Sequence, residues 1–181
     1  MTAHLPQGNG PPAHLEMFHV GFVVDDMGEA QRTFGEAFGH RWTQVVERDL
    51  DVLVDGERRR AELRLAYSLQ GPPHVELIEE VSGELWGHRF LGIDHVGYWA
   101  TSFGAAVDHL HAHGFPAVVR NLGPDGTPAR FTYHRSPAGL WIEVVDRRAE
   151  PEIAGWLASG TTGTDDTEGS ERAGVEQSET G

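Results

Sequence analysis

The sequence predicts an α+β fold in which two βαβββ modules form one cupped, mixed β-sheet with helices on its outer face. Three observations support this prediction. A short strand pattern recurs 76 residues later, an amphipathic helix pattern follows each copy, and three further strand patterns follow each helix. A module with a single helix leaves one face of its sheet uncovered. Pairing two such modules gives that second face a shared concavity.

The repeated strand is the first element of each module. Residues 18–25 read FHVGFVVD and residues 94–101 read DHVGYWAT, and both are rich in the β-branched and aromatic residues that strands favour. Apolar residues at steps of three and four predict one helix over residues 27–38 and another over residues 103–110. A glycine follows each helix pattern and marks its end.

Three strands are predicted after each helix, separated by turns that contain glycine and proline. They cover residues 42–47, 61–68 and 74–79 in the first half, and residues 117–121, 129–135 and 140–145 in the second. The chain is therefore divided into a flexible N-terminus (1–14), a first module (15–82), a linker (83–92), a second module with a C-terminal helix (93–158) and an acidic tail (159–181).

Composition excludes several classes of protein. The chain has no cysteine, so disulfides, thiolate metal sites and cysteine nucleophiles are absent. Its net charge is −14, which disfavours binding to nucleic-acid phosphates. It lacks both a long apolar run and a secretory leader pattern, so we expect a cytoplasmic protein with no membrane span. Residues 159–181 have six acidic residues and almost no apolar side chains, which predicts disorder.

Two histidines occupy equivalent places in the repeated strand. Because side chains alternate across a strand, His19 shares a face with Gly21, and His95 shares a face with Gly97. The neighbouring apolar residues have the opposite parity and suit the face that packs on the helix. Each glycine is expected to leave space beside its own histidine for a ligand or a metal.

Two glutamates occupy equivalent places in the last strand of each module. Glu76 lies between Val75 and Leu77 in HVELIEE, and Glu143 lies between two branched apolar residues in LWIEVVD. Such a carboxylate is expected to point into the concavity, where it needs a cation or a proton because an isolated buried charge is very unfavourable. Two imidazoles and two carboxylates meeting there suffice for one divalent cation, with positions left for substrate oxygens.

Four stretches of the chain resemble the vicinal oxygen chelate superfamily, which contains glyoxalase I, methylmalonyl-CoA epimerase and the extradiol dioxygenases. They are FHVGFVVDDMGEAQRTFGEAFG, PPHVELIEE, GIDHVGYWATSFGAAVDHLHAHGF and SPAGLWIEVVD, which together span most of residues 15–147. The resemblance implies paired βαβββ modules and one divalent metal ion per site (Zn, Ni, Co, Mn or Fe). It places that metal on His19, Glu76, His95 and Glu143.

The resemblance also implies a reaction class, which is metal-assisted proton transfer beside a carbonyl of a small 2-oxo or acyl-thioester substrate. Glu143 and Glu76 are the residues available to move the proton. The His-Glu-His-Glu set resembles that of glyoxalase I, whereas epimerase-like sites commonly have glutamine at the position of Glu76. A homodimer is expected, and pairing of the modules within one chain or across the dimer stays open.

Two other functions stay open. Several relatives bind antibiotics or other ligands without catalysis in an aromatic cleft, and the chain has five aromatic residues that suit one: Trp42, Trp99, Phe131, Tyr133 and Trp141. Core packing is the simpler interpretation for Phe131 and Trp141. Extradiol dioxygenases use two histidines and one carboxylate around iron, so a fourth ligand at Glu76 disfavours that reading.

Overall fold

The computed structural model describes residues 15–82, 85–87 and 92–160. The strands are β1 (Leu15–Val23), β2 (Val46–Val54), β3 (Glu57–Tyr67), β4 (His74–Ser82), β5 (His95–Ala100), β6 (Ala117–Leu122), β7 (Pro128–Arg135) and β8 (Trp141–Asp146). The helices are α1 (Met27–Phe38), α2 (Phe103–Ala112) and α3 (Glu150–Ala158). The predicted flexible N-terminus and nearly all of the predicted acidic tail lie outside the described residues.

The eight strands close into one barrel in the order β1-β4-β3-β2-β6-β7-β8-β5. Within each module the first and last strands are parallel neighbours, β1 with β4 and β5 with β8. The modules meet at two antiparallel junctions, β1 with β5 and β2 with β6, and both lie within one chain. The predicted fold of two paired βαβββ modules is confirmed. Because both junctions pair, the sheet closes into a barrel, although β2 and β6 pair only over Val52–Val54.

Helices α1 and α2 pack on the outer face of the barrel, as predicted. The carboxylate of Asp26 accepts the backbone N–H of Glu29 at 2.7 Å and so caps the start of α1. Gly39 ends this helix in the left-handed conformation, with φ 72°. Phe22 from β1 and Phe34 from α1 belong to the same apolar cluster. Helix α2 covers β5 and β8 in the same way.

The strand predicted at residues 42–47 is wrong in its position. The strand begins at Val46 and runs to Val54, and Trp42 forms only an isolated bridge. Its first half carries Glu47, Asp49 and Asp51, which do not fit the pattern of a buried strand. Acidic residues of β2 pair instead with arginines of β3 across the hairpin. β2 therefore forms because it pairs with β3 along its whole length, although its apolar pattern is weak.

Helix α3 covers one end of the barrel. Ile153, Trp156 and Leu157 pack against a cluster that includes Phe18 and Trp99. The indole N–H of Trp156 donates to the carbonyl oxygen of residue 44 at 2.9 Å. The sequence predicts a C-terminal helix within residues 93–158, and α3 covers one end of the barrel interior. No described helix has the length and apolarity needed to cross a bilayer.

The predicted linker contributes a residue to the barrel interior. Most of residues 83–92 lie outside the described part, but Trp86 is described and is fully buried. The backbone N–H groups of Leu85 and Trp86 donate to the Glu80 carboxylate at 3.0 and 2.8 Å. These bonds hold the indole among residues of the central core, including Tyr133.

Candidate metal centre

The four residues predicted to bind a metal meet inside the barrel. His19, Glu76, His95 and Glu143 each offer one ligand atom, and these atoms all lie within 4.8 Å of one another. They come from four neighbouring strands, in the order β4, β1, β5, β8. All four side chains are buried, and the most exposed of them, Glu143, keeps only 6% of its surface. The barrel therefore gathers two imidazoles and two carboxylates from both modules at one point.

Strand register explains why the two histidines meet. Because β1 and β5 are antiparallel, His19 lies opposite Gly97, and His95 lies opposite Gly21. A Cβ atom built on either glycine would lie less than 3.0 Å from ring atoms of the opposite histidine. Each glycine thus makes room for the imidazole of the other module. The expectation that it leaves space beside its own histidine is wrong.

The same glycines stand opposite the glutamates. Gly21 pairs with Glu76 across the parallel β1–β4 ladder, and Gly97 pairs with Glu143 across the β5–β8 ladder. Each glycine is therefore flanked by a histidine on one side and a glutamate on the other. Because residues opposite one another point to the same face of a sheet, all four side chains enter the interior at one level.

The distances show how closely the donor atoms approach. The Nε2 atoms of His19 and His95 lie 2.9 Å apart. Oε2 of Glu143 lies 2.9 Å from Nε2 of His19 and 3.4 Å from Nε2 of His95. Oε2 of Glu76 lies 3.4 Å from both nitrogens. Two ring nitrogens this close to two carboxylates need a proton or a cation among them, because uncompensated lone pairs and negative charges repel.

Hydrogen bonding orients His95 for metal binding. Its Nδ1 lies 3.0 Å from the carbonyl oxygen of Ile93, which only accepts hydrogen bonds. Nδ1 therefore carries a proton, and the Nε2 atom faces the centre, where its lone pair becomes available to a cation once Nε2 is deprotonated. The ring of His19 is held instead by edge contacts with Phe18 and Tyr67. Among the described residues, Nδ1 of His19 and Oε2 of Glu76 have no hydrogen-bond partner.

The donor set fits a divalent cation. Imidazole nitrogens and carboxylate oxygens are together suited to zinc, nickel, cobalt, manganese and iron. The buried Oε2 of Glu76 points at both Nε2 atoms without a hydrogen-bonding geometry to either, and a cation would satisfy this atom. The four residues are thus chemically able to hold one metal ion.

The imidazoles and the carboxylates of the centre shift each other's pKa in opposite directions. Burial alone lowers the pKa of His95, but the adjacent carboxylates of Glu143 and Glu76 raise it from 6.5 to about 10. Burial raises the pKa of Glu143, but hydrogen bonds and charges from His19 and His95 lower it from 4.5 to about 2. Without a cation, the centre therefore retains a proton among its histidines, and binding of a metal must release that proton.

Because of this proton, we expect the free energy of unfolding of chelator-treated protein to depend on pH. His95 faces His19, Glu76, Glu143 and the ring of Tyr133. Because its folded-state pKa is raised, His95 stabilises the protein fully below pH 6.5 and loses that contribution as the pH rises toward 10. Glu143 has the opposite sign, since its contribution is present above pH 4.5 and is lost toward pH 2.

Urea unfolding of the wild type and of His95→Gln measures this dependence. The stability difference between the two proteins should shrink between pH 6.5 and about pH 10. A difference that stays constant over this range would show that His95 holds no extra proton in the folded state. His111→Gln alters an exposed histidine on α2 and serves as the control.

A pocket of about 130 Å³ opens onto the centre, and both glutamates form part of its wall. Most of its lining is apolar, and five aromatic residues contribute: Tyr67, Trp86, Phe131, Tyr133 and Trp156. The predicted aromatic set is therefore only partly right. Phe131 lines the pocket rather than serving only as core, whereas Trp42 packs against α1 and Trp99 packs beneath α3.

Two tyrosines beside the glutamates were not predicted as part of the centre. Tyr67 lies opposite Glu76 in the β3–β4 ladder, and Tyr133 lies opposite Glu143 in the β7–β8 ladder. Burial and the negative charges of both glutamates raise the pKa of each tyrosine well above its usual value of 10. Each hydroxyl therefore keeps its proton.

A family model supports the resemblance seen in the sequence. The model described as the Glyoxalase/Bleomycin resistance protein/Dioxygenase superfamily matches residues 18–133. The chain belongs to this superfamily, which is the vicinal oxygen chelate superfamily. No curated protein matches the chain in sequence.

Solved structures are similar to this chain at low sequence identity, and one with a TM-score above 0.5 has the same fold. A variant of the Streptomyces coelicolor methylmalonyl-CoA epimerase, in complex with 2-nitronate-propionyl-CoA, superimposes with a TM-score of 0.51 at 13% identity, covering 74% of this chain and 95% of that one. The methylmalonyl-CoA epimerase of Mycobacterium tuberculosis gives 0.49 at 17% identity, covering 72% and 86%. A halotolerant catechol dioxygenase gives 0.38 at 18% identity, covering 72% and 39%.

Proposed function

We propose that this protein is a divalent-metal-dependent enzyme that moves a proton beside a carbonyl group. The reaction is a glyoxalase-type lyase or isomerase step or an epimerisation, on a small 2-oxo or acyl-thioester substrate. The observation that carries the proposal is the convergence of His19, Glu76, His95 and Glu143 within 4.8 Å at the wall of an otherwise apolar pocket. Membership of a superfamily named for glyoxalases and dioxygenases supports it.

The residues divide the work between holding a cation and moving a proton. A bound divalent cation supplies Lewis-acid stabilisation for the negative charge that develops when a proton leaves the carbon beside a carbonyl. Glu143 accepts that proton at a carboxylate oxygen, and Glu76 is placed to deliver or accept one from the other side. Tyr67 and Tyr133, which lie opposite the two glutamates on the neighbouring strands, keep their hydroxyl protons beside them. The apolar wall limits the access of water to the reacting carbon.

Two alternatives are less consistent with the geometry. A non-catalytic binding protein would use the aromatic wall of the pocket but would not need four buried donor atoms at one point. An extradiol dioxygenase uses two histidines and one carboxylate with open positions on iron. The second carboxylate, Glu76, occupies a place that such a site leaves open.

Metal content of the histidine variants tests the centre itself. We expect about one divalent ion per wild-type chain, and a loss of affinity in His19→Ala and in His95→Ala at least as large as the 10–100-fold typical of outer-shell changes. Elemental analysis of protein prepared without added metal measures this. His134→Ala is a matched control, because His134 is equally buried but bonds to Thr132 and to the carbonyl of Phe115 instead. Wild-type occupancy in both ligand variants would refute the assignment.

Exchange of a carbon-bound proton tests the reaction. The metal-loaded protein is incubated in deuterated water with 2-oxo thiohemiacetals and with 2-methyl-branched acyl thioesters. Deuterium entry beside the carbonyl supports the enzyme. Stoichiometric metal with no exchange in either substrate class contradicts the proposed reaction, and absence of metal favours the binding protein.

Two expectations from the sequence stay predictions. The barrel closes within one chain, so the centre draws all four residues from a single copy, and sedimentation measurements test the expected homodimer. A cytoplasmic location is tested by fractionation of cells that produce the protein.

A further inference from the structure

The mouth of the pocket carries two arginines that share one carboxylate. Arg48 from β2 and Arg130 from β7 both line the pocket, together with Glu152 from α3. Oε1 of Glu152 lies 3.5 Å from a guanidinium nitrogen of Arg48, and its Oε2 pairs with Arg130. The one negative charge of Glu152 therefore compensates only part of the two positive charges at the mouth.

The backbone at Arg130 departs from a regular strand in a way that brings this side chain to the pocket. Between two paired positions, β6 advances from Arg120 to Leu122 while β7 advances from Pro128 to Thr132, so β7 contains a bulge. Within it Arg130 has φ 57°, a left-handed conformation that is unfavourable for a residue other than glycine. Regular alternation would turn Arg130 away from the side of Phe131.

This distortion has a functional interpretation. Bulges redirect side chains next to binding sites, and unfavourable backbone conformations persist where the surrounding structure enforces them. Here the result is that both Arg130 and Phe131 line one pocket. A glycine would relieve the strain but would remove the positive charge from the mouth.

The pocket thus has two polar regions separated by apolar wall. Glu76 and Glu143 form one of them at the candidate metal centre, Arg48 and Arg130 form the other at the mouth, and aliphatic side chains line the space between. We propose that the substrate is a carbonyl compound with an apolar body and a terminal carboxylate, and that Arg48 and Arg130 bind this carboxylate in place of Glu152. This inference rests on the proposed function, because it assigns the carbonyl end to the metal centre.

The contact with Glu152 shows how such a carboxylate is held. One oxygen of Glu152 faces each guanidinium, so a carboxylate bridges the two arginines. The three side chains are 41%, 53% and 53% exposed, for Arg48, Arg130 and Glu152 respectively. Ion pairs this exposed contribute little to stability, so a ligand carboxylate displaces Glu152 at low cost.

Alkyl hydroxamates test the inference, because a hydroxamate chelates a metal through two neighbouring oxygens. A series of chain lengths is prepared with either a terminal carboxylate or a neutral terminal carboxamide, and binding to zinc-loaded protein is measured by calorimetry. At the best length we expect the carboxylate to bind about tenfold more tightly than the amide, as one charge-assisted hydrogen-bonded contact would give. Arg48→Met and Arg130→Met should each reduce this preference without changing the affinity for the amide.

Three further variants sharpen the result. Glu152→Gln should increase the affinity for the carboxylate, since it removes the competing group. Arg130→Gly should lose the preference while melting at a higher temperature than the wild type, because glycine accepts the left-handed conformation. Arg58→Met, at an exposed arginine that pairs with Asp51 on the hairpin, should leave the preference unchanged.

The outcomes separate this inference from the proposed function. Equal affinity for carboxylate and amide in the wild type, or a preference that survives in the Arg48→Met/Arg130→Met double variant, would overturn the carboxylate site while leaving the metal centre standing. Failure of both hydroxamates to bind zinc-loaded protein would overturn the proposed function and this inference together.

Discussion

Replacing Glu143 with glutamine should lower the rate of proton exchange by about 10²–10⁴-fold, the range that a positioned acid or base contributes. Glutamine has nearly the same shape as glutamate, so the barrel should still fold. Its amide, however, is not a base, and it lacks the negative charge that Glu143 holds 2.9 Å from Nε2 of His19. The measurement is deuterium entry beside the substrate carbonyl, compared at equal metal occupancy.

A neighbouring carboxylate provides the matched control for this prediction. Glu79 lies on β4, three residues after Glu76, and its carboxylate accepts from Arg64 at 2.7 Å outside the centre. Glu79→Gln should therefore exchange protons at the wild-type rate. Normal exchange in Glu143→Gln that has bound its metal would remove Glu143 from the mechanism and leave Glu76 as the remaining base.

A single added methyl group at Gly97 should disrupt the centre from the opposite strand. A Cβ atom there would lie less than 3.0 Å from Cε1, Nε2 and Nδ1 of His19, whose ring is fully buried and unable to move into solvent. We expect Gly97→Ala to cost about 1–3 kcal/mol of folding free energy, as overpacking does. Metal affinity should fall as well, because the imidazole must leave its place. Gly21→Ala should act in the same way on His95.

Thermal melting and metal titration check this prediction. Gly104→Ala in the first turn of α2 is the control, because a Cβ atom there meets nothing within 4 Å and alanine has a higher helix propensity than glycine. That variant should melt at a higher temperature and bind metal normally. If Gly97→Ala bound metal as tightly as the wild type, the close packing of His19 on β5 would not be needed to hold the ligands.

Alternation along single strands was sufficient to predict which polar side chains face the interior. His19 and His95 have the parity opposite to the helix-packed residues, and Glu76 and Glu143 lie between residues such as Leu77 and Val144 that pack on the helices. This information is local, since it follows from the two-residue period of a strand. The repeat of the same pattern in both halves then indicated that the two pairs belong together.

Features that depend on pairing between distant strands were missed or misplaced. The predicted start of β2 is too early because its acidic residues mask the strand pattern, and they become compatible with a strand only when arginines of β3 form ion pairs with them. Tyr67 and Tyr133 became part of the centre only because each lies opposite a glutamate on the next strand. The side chain of Arg130 reaches the pocket because β7 contains a bulge, and that bulge depends on how β6 pairs with β7.

The sequence by itself determined the fold of this protein and the four residues that face one another in its interior, because repetition and strand parity are properties of the chain alone. Tertiary structure decided the rest. The register between β1 and β5 placed Gly97 opposite His19 and Gly21 opposite His95. Closure of the barrel placed α3, with Glu152, over the mouth of the pocket. These relations arise only when residues far apart in sequence pair across strands, and no periodicity within one strand records which partner it will meet.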